Sequence, residues 1–266
     1  MNAHMPSGPD QDPTEFWEEL YQQRSRVWSG KANKALVDVA GDLAPGRALD
    51  LGSGEGGDAL WLAGLGWRVD GLEISSTALA RAVEHTREQE RDRGLDEGTL
   101  AERIHWRQAD LVDWVPDAQY DLVSACFLHS PVEFPRDAVL RRAADAVAPG
   151  GHLLVVGHAA FPPWSAMHCH DDDGAPSIDD GNAPEAGHDH EGGHGHAPEH
   201  GDHADLPSAD EVAAALALPP AEWRVLVSEN RPRDAVGPDG QEAVIDDAVL
   251  LVQRLPTPGS SGSQAA

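Results

Sequence analysis

Short apolar segments alternate with helical patterns from Arg47 to Gly157, and this alternation restricts the chain to one fold class. The apolar segments have the length of buried strands, whereas the stretches between them repeat apolar residues at the spacing of a helix. Strands that are joined through helices run parallel and need helices on both faces of their sheet. The pattern therefore predicts an α/β fold, a three-layer sandwich around a mostly parallel sheet.

The predicted elements follow from periodicity and from turn residues. Strands are expected at 47–51, 67–72, 104–108, 120–125, 152–157, 223–228 and 248–254. Helices are expected after a cap at Thr14, at 36–43, from 58, after a cap at Ser75, at 136–148, and from a cap at Ser208 to 218. Residues 149–151 are predicted to form a tight turn, and 231–247 a loop.

A glycine-rich turn at 50–57, with the sequence DLGSGEGG, follows the first strand and opens a helix. Glycines let the backbone turn sharply and let its N–H groups approach a ligand closely. Glu73 ends the next strand, 21 residues after Gly52, where a carboxylate accepts hydrogen bonds from ribose hydroxyls in nucleotide-binding sheets. The combination predicts a site for a cofactor that contains a nucleoside; a solvated acid at a strand end is the alternative for Glu73.

Three features argue against a dinucleotide as that cofactor. Asp50 directly precedes the glycines, where its charge would repel a pyrophosphate and favour a sulfonium or ammonium group. Two helical stretches precede the first strand, whereas dinucleotide-binding domains often open with that strand. Asp110 ends the third strand, where it could accept a hydrogen bond from an adenine amino group or, alternatively, cap a turn.

Five segments together resemble class I S-adenosylmethionine-dependent methyltransferases, in the broad bacterial group of the tellurite-resistance and thiopurine-type enzymes. The segments are ALDLGSGEG at 48–56, VDGLEIS at 69–75, ADL at 109–111, YDLV at 120–123 and APGGHLL at 148–154. The resemblance covers roughly 14–157, and more loosely 208–255. Ser53 stands where Cys is frequent, which keeps the size of the side chain. Glu73 stands where Asp is frequent, which keeps its negative charge. These motifs are specific to the class and not to a substrate.

The resemblance implies a Rossmann-like sheet of seven strands, the last one antiparallel, with S-adenosylmethionine over the strand ends. It implies that Asp50, Gly52 and Gly54 face the methionine half of the cofactor and that Glu73 faces the ribose. Asp110 would face the adenine, which Ile74 and Leu111 would flank. The predicted cofactor-binding residues are Asp50, Gly52, Ser53, Gly54, Glu73, Ile74, Asp110, Leu111 and Cys126.

Methyl transfer is an in-line displacement at a carbon that the positive sulfur already activates, so the protein mainly aligns the reactants and excludes water. A base is needed only where the acceptor must lose a proton. His129, just past the fourth strand, is the predicted catalytic residue, because its pKa suits a base; a loop histidine bonded to backbone is the alternative. His158 is a second candidate. Trp17, Tyr21 and Trp28 could cover the cofactor or simply pack.

The predicted organisation places a low-complexity insert inside a methyltransferase core. Its parts are a disordered N-terminus at 1–13, a core with N-terminal cover helices at 14–157, the insert at 158–207, the remainder of the core at 208–255, and a disordered tail at 256–266. Residues 168–205 hold eight histidines, eleven acidic residues and no Lys or Arg. Imidazole suits zinc, nickel and copper, so weak divalent metal binding by the insert is one hypothesis and a solvated acidic loop is the other. Deletion of 171–203 with unchanged activity and metal response would remove the metal hypothesis.

The net charge of −27 makes nucleic acid and membrane surfaces poor partners. The two cysteines do not suggest a disulfide scaffold, and the sequence shows neither a signal peptide nor an apolar run of membrane length. We therefore expect a cytoplasmic methyltransferase for a small-molecule acceptor, with no protein metal ligand assigned. The alternatives are a metal-binding or sequestering protein on a Rossmann-like scaffold and, behind it, an NAD-dependent oxidoreductase.

Overall fold

The computed structural model describes residues 12–159, 206–236 and 240–256. Its strands are β1 (Arg47–Leu51), β2 (Arg68–Glu73), β3 (Ile104–Gln108), β4 (Tyr120–Cys126), β5 (Val147–His158), β6 (Trp223–Val236) and β7 (Glu242–Arg254). Its α-helices are α1 (Pro13–Gln23), α2 (Lys34–Ala40), α3 (Gly57–Gly64), α4 (Ser76–Asp92), α5 (Arg136–Asp145) and α6 (Ala209–Leu216). A short 3₁₀ turn, Ala101–Arg103, precedes β3.

The strands form one seven-stranded sheet in the order β3-β2-β1-β4-β5-β7-β6. Strands β1 to β5 pair in parallel, and β7 runs antiparallel to both of its neighbours, β5 and β6. The predicted fold class, a Rossmann-like sandwich whose last strand is antiparallel, is confirmed.

Both faces of the sheet are buried around its central strands, as expected for parallel strands joined by helices. Along β5, Leu153 and Val155 belong to the core that α5 and α6 cover. Their neighbours Leu154 and Val156 belong to the core that α2 and α3 cover. With both faces covered by helices, the ends of these strands are the part of the sheet that is left available for a site.

Side-chain caps fix where several helices begin. Ser75 accepts a hydrogen bond from the Ala78 N–H, as predicted, and Ser208 forms a capping box with Glu211. The predicted cap at Thr14 is wrong, because Oδ1 of Asp12 accepts from the N–H groups of Thr14 and Glu15 and the helix begins at Pro13. Proline is well suited to that first helical position, where its missing N–H costs no hydrogen bond.

The boundary between α5 and β5 lies earlier than predicted. The helix ends at Asp145, and Val147 already pairs with Tyr120 of β4. The predicted turn at 149–151 is part of the strand, where the register shifts between Tyr120 and Leu122. Because a bulge absorbs the extra residues, a Pro-Gly-Gly sequence that normally ends an element stays within this one.

The predicted loop at 231–247 is wrong, because these residues extend β6 and β7 into a long hairpin. Pairing continues from Trp223 with Arg254 as far as Val236 with Glu242, and residues 237–239 lie outside the described part. Charged residues interrupt the apolar pattern here, since this part of the hairpin is half-exposed. Pro232 is tolerated because β6 is an edge strand.

The boundaries of the predicted insert, 158–207, cannot be compared in full because 160–205 lie outside the described residues, as do 1–11 and 257–266. The metal hypothesis and the disorder predictions fall on those segments and stay predictions. Among the residues that the structure describes, none of the helices combines the length and the apolar character needed to cross a membrane.

Candidate functional site

A cavity of about 900 Å³ lies at the carboxyl ends of the parallel strands, the place where α/β sheets bind their ligands. The structure brings all ten residues of the predicted site to its wall. They are Asp50, Gly52, Ser53, Gly54, Glu73, Ile74, Asp110, Leu111, Cys126 and His129.

The glycine turn lies against the cavity in a conformation that other residues rarely adopt. Gly52 and Gly54 have φ angles of +68° and +53°. A Cβ at Gly52 would lie 2.8 Å from Cδ1 of Leu128, and one at Gly54 would lie 3.0 Å from the Tyr21 hydroxyl. Both positions therefore need glycine for backbone freedom and for space, and the turn keeps its main chain open to the cavity.

Asp50 is a buried carboxylate that is only half satisfied. Ser124 donates a hydrogen bond from Oγ to Oδ1 at 3.0 Å, whereas Oδ2 is buried and has no partner in the described structure. Burial, followed by the negative charge of Asp58, raises the pKa of Asp50 well above its usual range. A cationic group at Oδ2 would satisfy the free oxygen and stabilise the charged form.

Glu73 joins the second strand to the glycine turn. Its Oε2 accepts from the Gly54 N–H at 2.9 Å, and its Oε1 accepts from the Ser75 N–H at 3.0 Å. Burial raises the pKa of Glu73 although these backbone hydrogen bonds oppose the shift. Each carboxylate oxygen can accept a further hydrogen bond, so the arrangement still accommodates sugar hydroxyls. Oγ of the neighbouring Ser53 is also buried without a partner among the described residues.

The predicted adenine residues also reach the cavity. Oδ1 of Asp110 accepts from the Val112 N–H at 2.8 Å, which is the local cap considered as its alternative role. Leu111 is buried and Ile74 is half-buried, and all three line the cavity. Their positions are compatible with an aromatic ring between two apolar side chains, and this role stays a prediction.

Asp58 is a site residue that the sequence analysis missed. It lies in the first turn of α3, and its oxygens accept from the backbone N–H of Asn33 at 2.6 Å and from the Asn33 side chain at 2.7 Å. It lines the cavity near Cys126. Burial, and then the charges of Asp58 and Asp50, raise the pKa of Cys126 well above its usual range. A thiol whose pKa is raised is protonated at neutral pH, which makes it a poor nucleophile.

The segment after α1 covers the glycine turn. The Glu55 carboxylate accepts from the N–H groups of Val27 and Trp28, and Arg81 forms an ion pair with it at 3.0 Å. Trp28 donates from Nε1 to the Tyr21 hydroxyl at 2.9 Å. The aromatic residues Trp17, Tyr21 and Trp28 all line the cavity, although Trp28 keeps 52% of its surface exposed. Their role as a lid stays a prediction.

His129 follows a strained turn at the end of β4. Phe127 has a φ of +53°, which is costly for a bulky residue, and its carbonyl accepts from the His129 N–H at 2.8 Å. Burial, together with the charge of Arg136 and a smaller contribution from His158, lowers the pKa of His129 to about 4. The ring is therefore neutral at pH 7.

A family model described as a methyltransferase domain matches residues 21–217. The chain belongs to this methyltransferase family. The matched range begins within α1 and includes all ten residues of the predicted site. S-adenosylmethionine is the cofactor of this class, and neither the metal-sequestering nor the NAD-dependent alternative finds support in the comparisons.

Two curated methyltransferases resemble parts of the chain. Thiocyanate methyltransferase 1 from Arabidopsis thaliana is 27% identical over 157 residues, which is 56% of this chain and 65% of the relative. Ubiquinone biosynthesis O-methyltransferase from Marinobacter nauticus is 30% identical over 123 residues, 45% of this chain and 47% of the relative. The chain thus spans between about half and two thirds of the length of these relatives.

Solved structures share the fold over most of the chain. A protein from a study of the conversion of a disulfide bond into a thioacetal group in echinomycin biosynthesis has a TM-score of 0.59 at 23% identity, with 94% of both chains covered. Magnesium protoporphyrin IX methyltransferase from Synechocystis, with bound SAH, has a TM-score of 0.55 at 14% identity, covering 91% of this chain and 100% of its own. TehB from Haemophilus influenzae has a TM-score of 0.53 at 15% identity, covering 91% and 67%.

The methyltransferase also places two residues of the hairpin at the cavity, and the sequence analysis missed both. Asp247 is buried on β7, and Arg233 of β6 donates from Nε to its Oδ2 at 2.6 Å. Oδ1 of Asp247 lies 3.6 Å from Nδ1 of His158. The sequence signal was obscured because both residues fall in the segment predicted as a loop.

Within the described part of the chain, no group of three or more His, Cys, Asp and Glu side chains is arranged to hold a metal ion.

Proposed function

We propose that this methyltransferase transfers the methyl group of S-adenosylmethionine to a small-molecule acceptor. The observation that carries the proposal is the buried, unpartnered Oδ2 of Asp50 beside the glycine turn. An uncompensated buried carboxylate is costly, and a cationic ligand removes that cost. When bound, S-adenosylmethionine supplies a methyl carbon that is activated by a positive sulfur.

The residues of the chain would bind and orient the methyl donor rather than supply its reactivity. Asp50, with Gly52 and Gly54, would hold its methionine half, and Glu73 would accept from its ribose hydroxyls. Asp110 would accept from the adenine amino group. The segment between α1 and α2, in which Val27 and Trp28 bond to Glu55 of the glycine turn, would exclude water from the reacting carbon. This favours displacement over hydrolysis.

The dimensions of the cavity support a small acceptor. A volume of about 900 Å³ is in the range of small-molecule sites, and it must accommodate both the donor and the acceptor. The net charge of −27 disfavours a nucleic acid as acceptor. The names of the two curated relatives mention thiocyanate and ubiquinone biosynthesis, and neither names a macromolecule.

Calorimetric titration of the whole chain with S-adenosylmethionine, S-adenosylhomocysteine and NAD⁺ tests the donor assignment. We expect binding of the first two ligands, and a loss of at least about 30-fold in affinity for S-adenosylmethionine in Asp50→Ala and Glu73→Ala, which is roughly 2 kcal/mol. Asp92→Ala and Glu84→Ala remove exposed carboxylates from α4 and are matched controls. Tight binding by folded Asp50→Ala and Glu73→Ala would contradict the proposal.

The acceptor is identified by a screen for the common by-product of all such reactions. The chain is incubated with S-adenosylmethionine and a panel of thiols, phenols, amines and thiocyanate, and S-adenosylhomocysteine is measured. We expect at least one small acceptor to raise its formation above the rate without acceptor.

A further inference from the structure

Besides Oδ2 of Asp50 and Oγ of Ser53, three buried polar atoms in the cavity wall have no hydrogen-bond partner among the described residues. They are Nε2 of His129, Nδ1 of His158 and Oδ1 of Asp247. Buried polar atoms in native proteins are normally paired, and an unpaired one calls for a functional explanation. The first lies just after β4, the second at the end of β5 and the third in the middle of β7, so three neighbouring parts of the sheet bring them to one cavity.

The sheet register places His158 beside Asp247. The two residues are directly opposite each other in the antiparallel pair of β5 and β7, so their side chains emerge on the same face of the sheet. Nδ1 of His158 lies 3.6 Å from Oδ1 of Asp247, slightly beyond a hydrogen bond. Such contacts are often long in ligand-free enzymes and shorten in the reactive complex.

Arg233 fixes the other oxygen of Asp247. Its Nε donates to Oδ2 at 2.6 Å, and its guanidinium lies 5.4 Å from the centre of the Phe127 ring. Asp247 is buried, so its carboxylate has little freedom to turn. Its Oδ1 therefore stays directed at His158.

His158 presents its remaining ring edge to the cavity. Nδ1 is buried, whereas the side chain as a whole is 29% exposed and lines the cavity. A proton on Nδ1 that is shared with Asp247 leaves the lone pair on Nε2, which is the tautomer that a carboxylate imposes on a general base.

We propose that His158 is the residue that accepts a proton from the methyl acceptor, with Asp247 and Arg233 as positioning residues. This inference rests on the proposed function. It implies that the acceptor is a small molecule whose nucleophile is a thiol or a hydroxyl group. The bond between the nucleophile and carbon forms as the carbon–sulfur bond of the donor breaks, and that electron pair stays on sulfur. The proton of the nucleophile goes to Nε2 of His158 and then to solvent.

His129 is less suited to accept this proton. Burial, followed by the charges of Arg136 and His158, lowers its pKa to about 4, so it is a weak base at neutral pH. Its Nε2 lies 3.0 Å from the place of a Cβ on Gly157, towards the backbone of β5. The His129 ring stacks on His158 with a centroid distance of 5.9 Å and an interplanar angle of 12°.

Long-range ¹H–¹⁵N correlation spectra of the full chain with bound S-adenosylhomocysteine test the tautomer. The signals of His158 are identified by their loss in His158→Gln. We expect the Nδ1–H tautomer in the unsubstituted chain. In Asp247→Asn, Arg233 would bond the amide oxygen and the amide N–H₂ would face His158, so we expect a change to the Nε2–H tautomer. An Nε2–H tautomer in the unsubstituted chain, or no change in Asp247→Asn, would overturn the proposal.

Turnover of proton-bearing acceptors, followed as S-adenosylhomocysteine formed, supplies the second test. We expect His158→Gln and Asp247→Asn to lower kcat for thiols and phenols by roughly 100-fold, with KM and the affinity for S-adenosylhomocysteine changed by less than about three-fold. His105→Gln is the matched control, because His105 also contacts an aspartate, Asp70 at 3.1 Å, but is exposed and outside the cavity.

The outcomes distinguish this inference from the proposed function. A chain that binds no S-adenosylhomocysteine contradicts the proposed function, whereas the tautomer of His158 can be read without turnover. Rates for thiols and phenols within about three-fold of the unsubstituted chain in both variants, or efficient methylation of thiocyanate or iodide alone, would overturn the assignment of His158.

Discussion

A single carboxylate shows how binding and stability oppose each other in this methyltransferase. Asp50 is buried with one oxygen unpartnered, and burial together with Asp58 raises its pKa. An acid whose pKa is raised by folding stabilises the folded state below its unfolded pKa of 3.8 and loses that contribution as the pH rises through the folded value. At neutral pH the ligand-free protein therefore carries a cost that a cationic ligand would relieve.

Asp50→Asn should accordingly stabilise the ligand-free protein. We expect the free energy of unfolding in urea to rise by about 1–3 kcal/mol at pH 7, because the buried charge is removed. The gain should disappear as the pH falls below the unfolded pKa of 3.8, where Asp50 is neutral in both states. A loss of stability at pH 7 would contradict this account of the site.

At the scale of elements, helix α1 is attached to the start of α4 through Glu18. Its carboxylate accepts from the hydroxyls of Ser75 and Thr77 at 2.7 and 2.5 Å. Burial raises the pKa of Glu18, but hydrogen bonds from Thr77 and Ser75 outweigh it and lower the value to about 2. Ser75 also donates from its N–H to Glu73. Helix α1 and Glu73, the proposed ribose carboxylate, therefore both bond to Ser75.

Glu18→Gln should loosen this attachment in a pH-dependent way. Because the pKa is lowered in the folded state, the contribution of Glu18 is present above about 4.5 and is lost as the pH falls towards 2. We expect the variant to be less stable by about 0.5–1 kcal/mol at pH 7 after allowance for solvent, with the difference shrinking below pH 4.5. Thermal unfolding across this pH range measures it, with Glu19→Gln on the exposed side of α1 as control. A difference that is independent of pH would contradict the assignment.

The elements that were predicted correctly from the sequence depend on local residues, whereas the elements that were missed depend on pairing with residues distant in the chain. The bounds of β1 and β3 were predicted to the residue, because short stretches with apolar residues at local spacing encode them. The extensions of β6 and β7 were missed, because their half-exposed, charged residues carry no apolar period and are ordered by pairing with each other. The cofactor side of the site was predicted from local motifs, whereas Asp247 and Arg233 depend on that pairing.

At the scale of the whole molecule, a chain with a strong net negative charge has a cavity that is lined by buried carboxylates. The net charge of −27 produces a long-range field, and Asp50, Asp58 and Glu73 add to it at short range. S-adenosylmethionine carries a net positive charge that its neutral by-product lacks. The field therefore attracts the donor and does not retain the neutral product.

Salt should weaken donor binding more than product binding. Between about 50 mM and about 500 mM NaCl, we expect the Kd of S-adenosylmethionine to rise roughly three-fold or more, because ions screen the long-range field. The Kd of S-adenosylhomocysteine should change less than about two-fold. Titration calorimetry measures both, and an equal salt dependence for the two ligands would contradict a role for the field.

The reversed direction of β7 has a consequence for how this protein can diverge. Because β7 runs opposite to β5, its first half rather than its last reaches the cavity, and the hairpin carries Asp247 and Arg233 there. The glycine turn and Glu73 come from a distant, earlier stretch of the gene. Mutations in the hairpin can thus reshape one wall of the pocket while the wall formed by the glycine turn and Glu73 is inherited unchanged. The acceptor side can therefore change in evolution without loss of the other side.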